Sequence, residues 1–129
     1  MPVWKFDLLY LVIGAIAGAY LRYRMGNETL HLFGIPVTIL LINVIGCFVL
    51  GLSMTAISKL GLGQNYIILL GIGFCGSFTT MSSFAFEATG LLDNGQLLLG
   101  LVDVGLNVGL SMAAILAGRA LVVTLSNII

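Results

Sequence analysis

Gly71-Ile-Gly-Phe-Cys-Gly-Ser-Phe-Thr-Thr-Met-Ser-Ser-Phe-Ala-Phe86 is the stretch on which the reading of this chain turns. Glycines at 71, 73 and 76 and hydroxyls at Ser77, Thr79, Thr80, Ser82 and Ser83 crowd a run flanked by oily sequence. Bilayer hydrocarbon has no water to satisfy freed backbone groups, so helix-weakening residues persist there only where protein or an aqueous cavity supplies partners. Gly76, Ser77, Thr79 and Thr80 therefore point to a helix broken at membrane depth. Unwound backbone of that kind builds ion sites from carbonyl oxygens and half-helix ends. The expectation is a channel or transporter for a small ion.

The flanking composition supports a membrane setting. The 129 residues are 60% hydrophobic and only 8% charged, with a mean hydropathy of +1.17. A soluble domain averages roughly 25% charged residues. A hydrocarbon core about 30 Å thick needs about 20 apolar residues per helix, so the chain holds a single domain of four spans, at about residues 7–23, 35–58, 65–92 and 96–125. Formal net charge is zero and no basic run occurs, which argues against nucleic-acid binding. Cys47 and Cys75 fall inside spans, where they read as small apolar fillers. His31 reads as an interfacial residue. The amino-terminal segment is not expected to be a cleavable signal, since Arg22 and Arg24 follow it without a small-residue cleavage pattern.

The spans carry their polar residues in patterns. Gly14, Ala15, Gly18 and Ala19 make a small-residue face on the first, suited to close helix packing. Pro36 is placed in the first turn of the second, where a missing N–H costs nothing. Asn43 lies near the middle of that span as its one strongly polar side chain, and an unpaired amide in hydrocarbon costs several kcal/mol, so it must face a helix or a pore. Asp93-Asn94-Gly95 is a turn. On the fourth span Asp103, Asn107 and Ser111 recur every four residues and share one face, as a pore-lining or helix-bridging stripe.

Lys5, Lys59 and Arg119 fall on one side of a four-span chain and Arg22 and Arg24 on the other. So little asymmetry gives almost no positive-inside bias. Such a chain can insert in both orientations, and an antiparallel pair follows. The lining offers hydroxyls, amides, backbone groups and phenyl edges but little fixed charge. That supports a small ion in a narrow polar path and does not choose the ion.

Three segments carry a resemblance. Gly14-Ala-Ile-Ala-Gly-Ala-Tyr-Leu-Arg22-Tyr23, Asn43-Val-Ile-Gly46, and above all Gly73-Phe-Cys-Gly-Ser-Phe-Thr-Thr-Met-Ser-Ser-Phe84 with Glu87 resemble the Fluc (CrcB-type) fluoride channels. The match spans nearly the whole chain. It implies an all-α membrane protein of four transmembrane helices, the third broken mid-membrane, assembled as an antiparallel dual-topology homodimer in the cell membrane (plasma or inner). It further implies two pores that release cytoplasmic fluoride passively. A structural sodium ion (Na+) at the dimer interface would be held by the Gly76 and Thr79 carbonyls. By motif position Asn43, Ser83, Asn107 and Ser111 would offer donors to fluoride, and Arg22 would stand in the vestibule. The two pore phenylalanines of the family fall on Met81 and Phe84, so one ring is replaced by a thioether. A Gly-Thr of the family becomes Thr38-Ile39, and Asp103 stands where a neutral polar residue is usual.

Two other functions fit the same composition. A small dual-topology proton-coupled exporter needs a carboxylate in the substrate path, usually in the first span; residues 8–21 contain none, although Glu87 and Asp103 lie elsewhere. A non-conducting subunit of a heterodimeric channel would accommodate Met81 and Ile39. No nucleophile–base set or metal-ligand spacing marks an enzyme.

Overall fold

Apolar runs of this length satisfy their backbone internally by winding into helices. Residues 4–128 are described by the computed structural model, and they bear this out. Helix α1 covers Trp4–Met25 and α2 covers Thr38–Lys59. Helix α3 occupies residues 64–78, α4 Met81–Asp93 and α5 Leu97–Ser126. Four stretches are long and apolar enough to cross a membrane: Phe6–Met25, Thr38–Lys59, Gln64–Asp93 and Leu97–Ser126. Their outer faces expose leucine, isoleucine and valine along the whole length, as lipid-facing helices do.

The first and third spans are slightly longer than expected, the fourth is shifted by one residue, and the second starts later. There the chain forms a hairpin, with β1 (His31–Leu32) antiparallel to β2 (Ile35–Pro36). Phe33 and Gly34 connect the strands with φ of 52° and 85°, the left-handed pair that tight hairpins require. Pro36 therefore ends a strand rather than opening a helix, and α2 begins at Thr38. Thr38 fastens the hairpin to that helix. Its hydroxyl accepts from Leu30 N–H at 2.8 Å and donates to the Glu28 carbonyl at 2.9 Å. The shift also moves Asn43 from the middle of α2 to its second turn.

Glycines set how closely the helices approach. A Cβ on Gly14 would overlap the Leu69 carbonyl oxygen, and one on Gly18 the Phe74 carbonyl oxygen. Helices α1 and α3 thus run parallel and in backbone contact, the packing expected of the small-residue face. Gly51 of α2 meets the Ile115 carbonyl and Gly118 of α5 meets the Phe48 carbonyl, so these helices also touch backbone to backbone; bonds from Asn43 to Asn107 and from Lys59 to Ser126 show that α2 and α5 run parallel. Between Ile67 and Cys75, α3 is wound as a π-helix, a conformation seldom sustained beyond one turn and one the sequence reading did not anticipate.

The helical path is interrupted at two residues. Thr79 (φ −74°, ψ 156°) and Thr80 (φ −149°, ψ 115°) are extended, with α3 ending before them and α4 starting after them. Gly76, grouped with these residues from the sequence, is itself helical (φ −63°, ψ −29°). The freedom of glycine is not what opens the chain here. Packed beside the interruption, Ile39, Ile42, Phe78, Phe84 and Ala88 form the buried core.

Candidate functional site

Two extended residues release backbone groups that a continuous helix would have paired, and each freed buried group needs a partner. Asn43 supplies it. Its Oδ1 accepts from the Thr80 N–H at 2.8 Å, and its Nδ2 donates to the Thr80 carbonyl at 3.3 Å. One amide side chain therefore replaces both helical partners of Thr80. Thr80 in turn caps α4: its hydroxyl accepts from the Ser83 N–H at 3.2 Å and donates to Ser83 Oγ at 3.1 Å. A threonine hydroxyl that accepts from the N–H three residues on is an ordinary N-cap. Thr80 was named from sequence only as part of the interruption, but it is the junction's centre.

The network continues onto α5. Asn43 Nδ2 also donates to Asn107 Oδ1 at 3.2 Å, and Asn107 Nδ2 donates to the Asp103 carboxylate at 3.0 Å and the Asp103 carbonyl at 3.3 Å. Because the Thr80 N–H can only donate and its carbonyl only accept, the orientation of the Asn43 amide is fixed, and that of Asn107 follows. Asp103 is fully buried at 0% exposure, and its Oδ2 has no partner among the described residues; the same holds for Glu87 Oε2. The every-fourth-residue stripe of α5 therefore bridges to α2 at Asn107 alone, with Asp103 holding the Asn107 amide from within α5. From the other side Arg22 Nη1 donates to the Thr79 carbonyl at 3.3 Å. The motif arginine of α1 thus touches the interruption itself.

A cavity of about 300 Å³ opens on this junction, lined by Asn43, Cys47, Thr79, Thr80, Met81, Phe84, Asn107, Val108, Ser111 and Met112. Five of the six residues singled out for a pore from the sequence meet here: Asn43, Met81, Phe84, Asn107 and Ser111. Ser83 does not line this cavity. It lines a neighbouring one with Ile39, Ser82, Phe86 and Glu87, and joins the junction only through Thr80. Phe84 is 7% exposed, seated in the core with its ring at the cavity wall, whereas Met81 is 73% exposed. Thr38, the displaced hydroxyl, faces the hairpin and takes no part.

The arrangement is a narrow polar seam in an apolar wall. It offers hydroxyl and amide groups, an aromatic ring, two freed carbonyls and one guanidinium. Among the described residues no cluster of His, Cys, Asp or Glu is grouped to hold a metal. Such a seam can strip and replace the water of a small ion, and it holds no nucleophile positioned beside a base.

Comparison with known proteins gives a consistent result. Residues 9–119 match the family model described as CrcB-like protein, Camphor Resistance (CrcB). A relative from Rhizobium etli named fluoride-specific ion channel FluC is 38% identical over 116 residues, covering 88% of this chain and 93% of the relative. Relatives of the same name come from Cereibacter sphaeroides, 38% identical over 118 residues (90% of this chain, 94% of the relative), and Methanococcus aeolicus, 33% identical over 119 residues (92% and 97%).

Proposed function

The chain belongs to the CrcB-like family, and on that footing we propose that it passes fluoride through the seam at Asn43, Thr80 and Asn107. It is a multi-pass membrane protein and a fluoride channel rather than an enzyme. Its place is the cell's inner or plasma membrane, where passive flow down the electrochemical gradient releases fluoride accumulated in the cytoplasm.

The observation that carries the siting is the Asn43 amide, which holds the interruption together and reaches the cavity at once. Fluoride is small, strongly hydrated and a strong hydrogen-bond acceptor. Both N–H groups of Asn43 are engaged, one by the Thr80 carbonyl and one by Asn107 Oδ1. A passing fluoride would take the place of Asn107 Oδ1 as acceptor, with the Ser111 hydroxyl beside it and the positive edge of Phe84 at the wall. Chloride, larger and a weaker acceptor, gains less from the same exchange. Ser83 supports this indirectly, by orienting Thr80. Met81 lines the path without an aromatic edge. Arg22, held on the Thr79 carbonyl, raises the potential felt by an anion arriving at the junction.

The interruption also suits a structural sodium ion. In a continuous helix the Thr80 N–H would serve the Gly76 carbonyl, but here it serves Asn43. Gly76 therefore offers a carbonyl without its helical donor, and Thr79 a carbonyl shared with Arg22. Hard oxygen donors of this kind match a small cation. Two carbonyls are too few to replace its hydration shell, so a second, antiparallel copy would supply the same pair. The ion would contribute fixed positive charge and hold the interrupted segments of the homodimer together. The near balance of Lys5, Lys59 and Arg119 against Arg22 and Arg24 agrees with dual topology.

The test is fluoride release from vesicles containing only this purified chain, followed with a fluoride electrode and started with a potassium ionophore. The expected result is rapid, electrogenic release of fluoride and retention of chloride, with no proton gradient needed. Release that depends on a proton gradient would favour a coupled exporter instead.

A further inference from the structure

A second, larger cavity lies farther along α2 and α5, away from the seam. Its volume is about 780 Å³, and its lining includes Thr55, Ser58 and Lys59 of α2 and Ile115 and Arg119 of α5. The two cavities share stripes. On α2, Asn43, Cys47, Gly51, Thr55 and Lys59 recur every four residues; on α5, Asn107, Ser111, Ile115 and Arg119 do the same. The small cavity takes Asn43, Cys47, Asn107 and Ser111 from these stripes and the large one takes Gly51, Thr55, Lys59, Ile115 and Arg119. Each step of four turns about 40° further around the helix, so the stripes wind along one trench between α2 and α5 that narrows where Gly51 meets the Ile115 carbonyl. At 1.5 Å per residue, Lys59 stands about 24 Å along it from Asn43.

Charge distinguishes this end. Both ionisable side chains in the lining, Lys59 and Arg119, are basic and exposed, and among the described residues no acidic side chain lines the cavity with them. Lys59 Nζ is steered across the trench by its 2.7 Å hydrogen bond to Ser126 Oγ. The Thr55 hydroxyl donates to the Gly51 carbonyl at 2.8 Å, which leaves its lone pairs rather than its proton toward the trench. A concave site with one sign of charge and low-dielectric walls raises the local concentration of counter-ions.

We propose that the large cavity is a second anion vestibule, in which Lys59 and Arg119 concentrate halide at the end of the path remote from Arg22. This inference rests on the fluoride-channel reading and adds two residues and a second mouth to it. Lys59 and Arg119 act by their field and not by binding fluoride at the seam. Their effect must then fade as salt shortens the Debye length from about 30 Å at 0.01 M to about 3 Å at 1 M.

The experiment measures initial fluoride release from neutral-lipid vesicles at low and high concentrations of an impermeant salt. It compares the unmodified chain, Lys59→Gln with Arg119→Gln, the reversal Lys59→Glu with Arg119→Glu, and the conservative Lys59→Arg with Arg119→Lys. Neutralisation should slow release roughly threefold to tenfold at low salt, reversal should slow it further, and the conservative pair should match the unmodified chain. All four should converge at high salt. Equal rates for the neutral and unmodified chains at low salt, with elution in detergent unchanged, would overturn the inference while leaving the channel intact. A deficit that persists at high salt, or that follows added anionic lipid, would also overturn it, the latter in favour of a lipid headgroup site. An unmodified chain that releases no fluoride would instead remove the reading beneath it.

Discussion

The contact of α1 with α3 and the Asn43 end of the contact of α2 with α4 and α5 bury helix faces in opposite ways. In the first, Gly14 and Gly18 bring backbone against backbone, with no polar side chain between. In the second, Asn43, Asn107, Asp103 and Thr80 form a hydrogen-bonded chain through the helix faces, with a cavity beside it. The difference shows where each kind of residue is tolerated. Close packing keeps one side rigid and dry. The other side meets its freed backbone with amides, which can exchange one acceptor for another and so can serve a passing ion.

The largest expected effect breaks the dry side. In Gly18→Leu the new side chain must occupy the position of the Phe74 carbonyl, an overpacking on the order of 3 kcal/mol or more. Size-exclusion chromatography in detergent should show loss of the monodisperse species; a normal profile would mean that the two helices can separate without cost.

Phe84→Ile tests the wall of the wet side. It should cost roughly 1–3 kcal/mol in the core around Ile39, Ile42 and Phe78, and fluoride release per folded channel should fall about tenfold, since an aromatic contact is worth about 0.5–1.5 kcal/mol. Full release with a lowered melting temperature would restrict Phe84 to packing.

Thr38→Val should separate the hairpin from the seam. Losing the bonds to Leu30 and Glu28 should destabilise the chain by about 1–2 kcal/mol, measured by thermal unfolding in detergent, with fluoride release unchanged. A drop in release would show that this hydroxyl reaches the path.

The smallest effect belongs to Met81→Phe. At 73% exposure the exchange should stay within about 0.5 kcal/mol. A restored ring edge should raise preference for fluoride over chloride about twofold or more. Unchanged preference would place the side chain outside the path.

The contrast between the two sides was partly legible in the sequence. Gly14 and Gly18 at four-residue spacing announced a close-packed face, and the hydroxyl-rich run announced an interruption. Of the ten residues lining the small cavity, Asn43 stands out in the sequence by polarity, Asn107 and Ser111 by spacing, and Met81 and Phe84 by motif position. What escaped notice depended on dihedrals and partners rather than residue type. Gly76 is permissive but helical, while Thr79 and Thr80 carry the extended backbone because Asn43 is placed to satisfy them. The hairpin is not legible in the sequence because Pro36 suits a strand end as well as a first turn, and Phe33 gives no composition signal for its positive φ. Ser83 looks equivalent to its neighbours in sequence, but it lines the adjoining cavity and reaches the junction only through its bond to Thr80.

Asn43→Ala tests the account most directly. The substitution strands the Thr80 N–H and carbonyl at a cost of roughly 1–3 kcal/mol, so the chain should still elute as a folded species while vesicles bearing it lose nearly all fluoride release. Release at the rate of the unmodified chain, from folded Asn43→Ala, would show that fluoride does not cross at this seam.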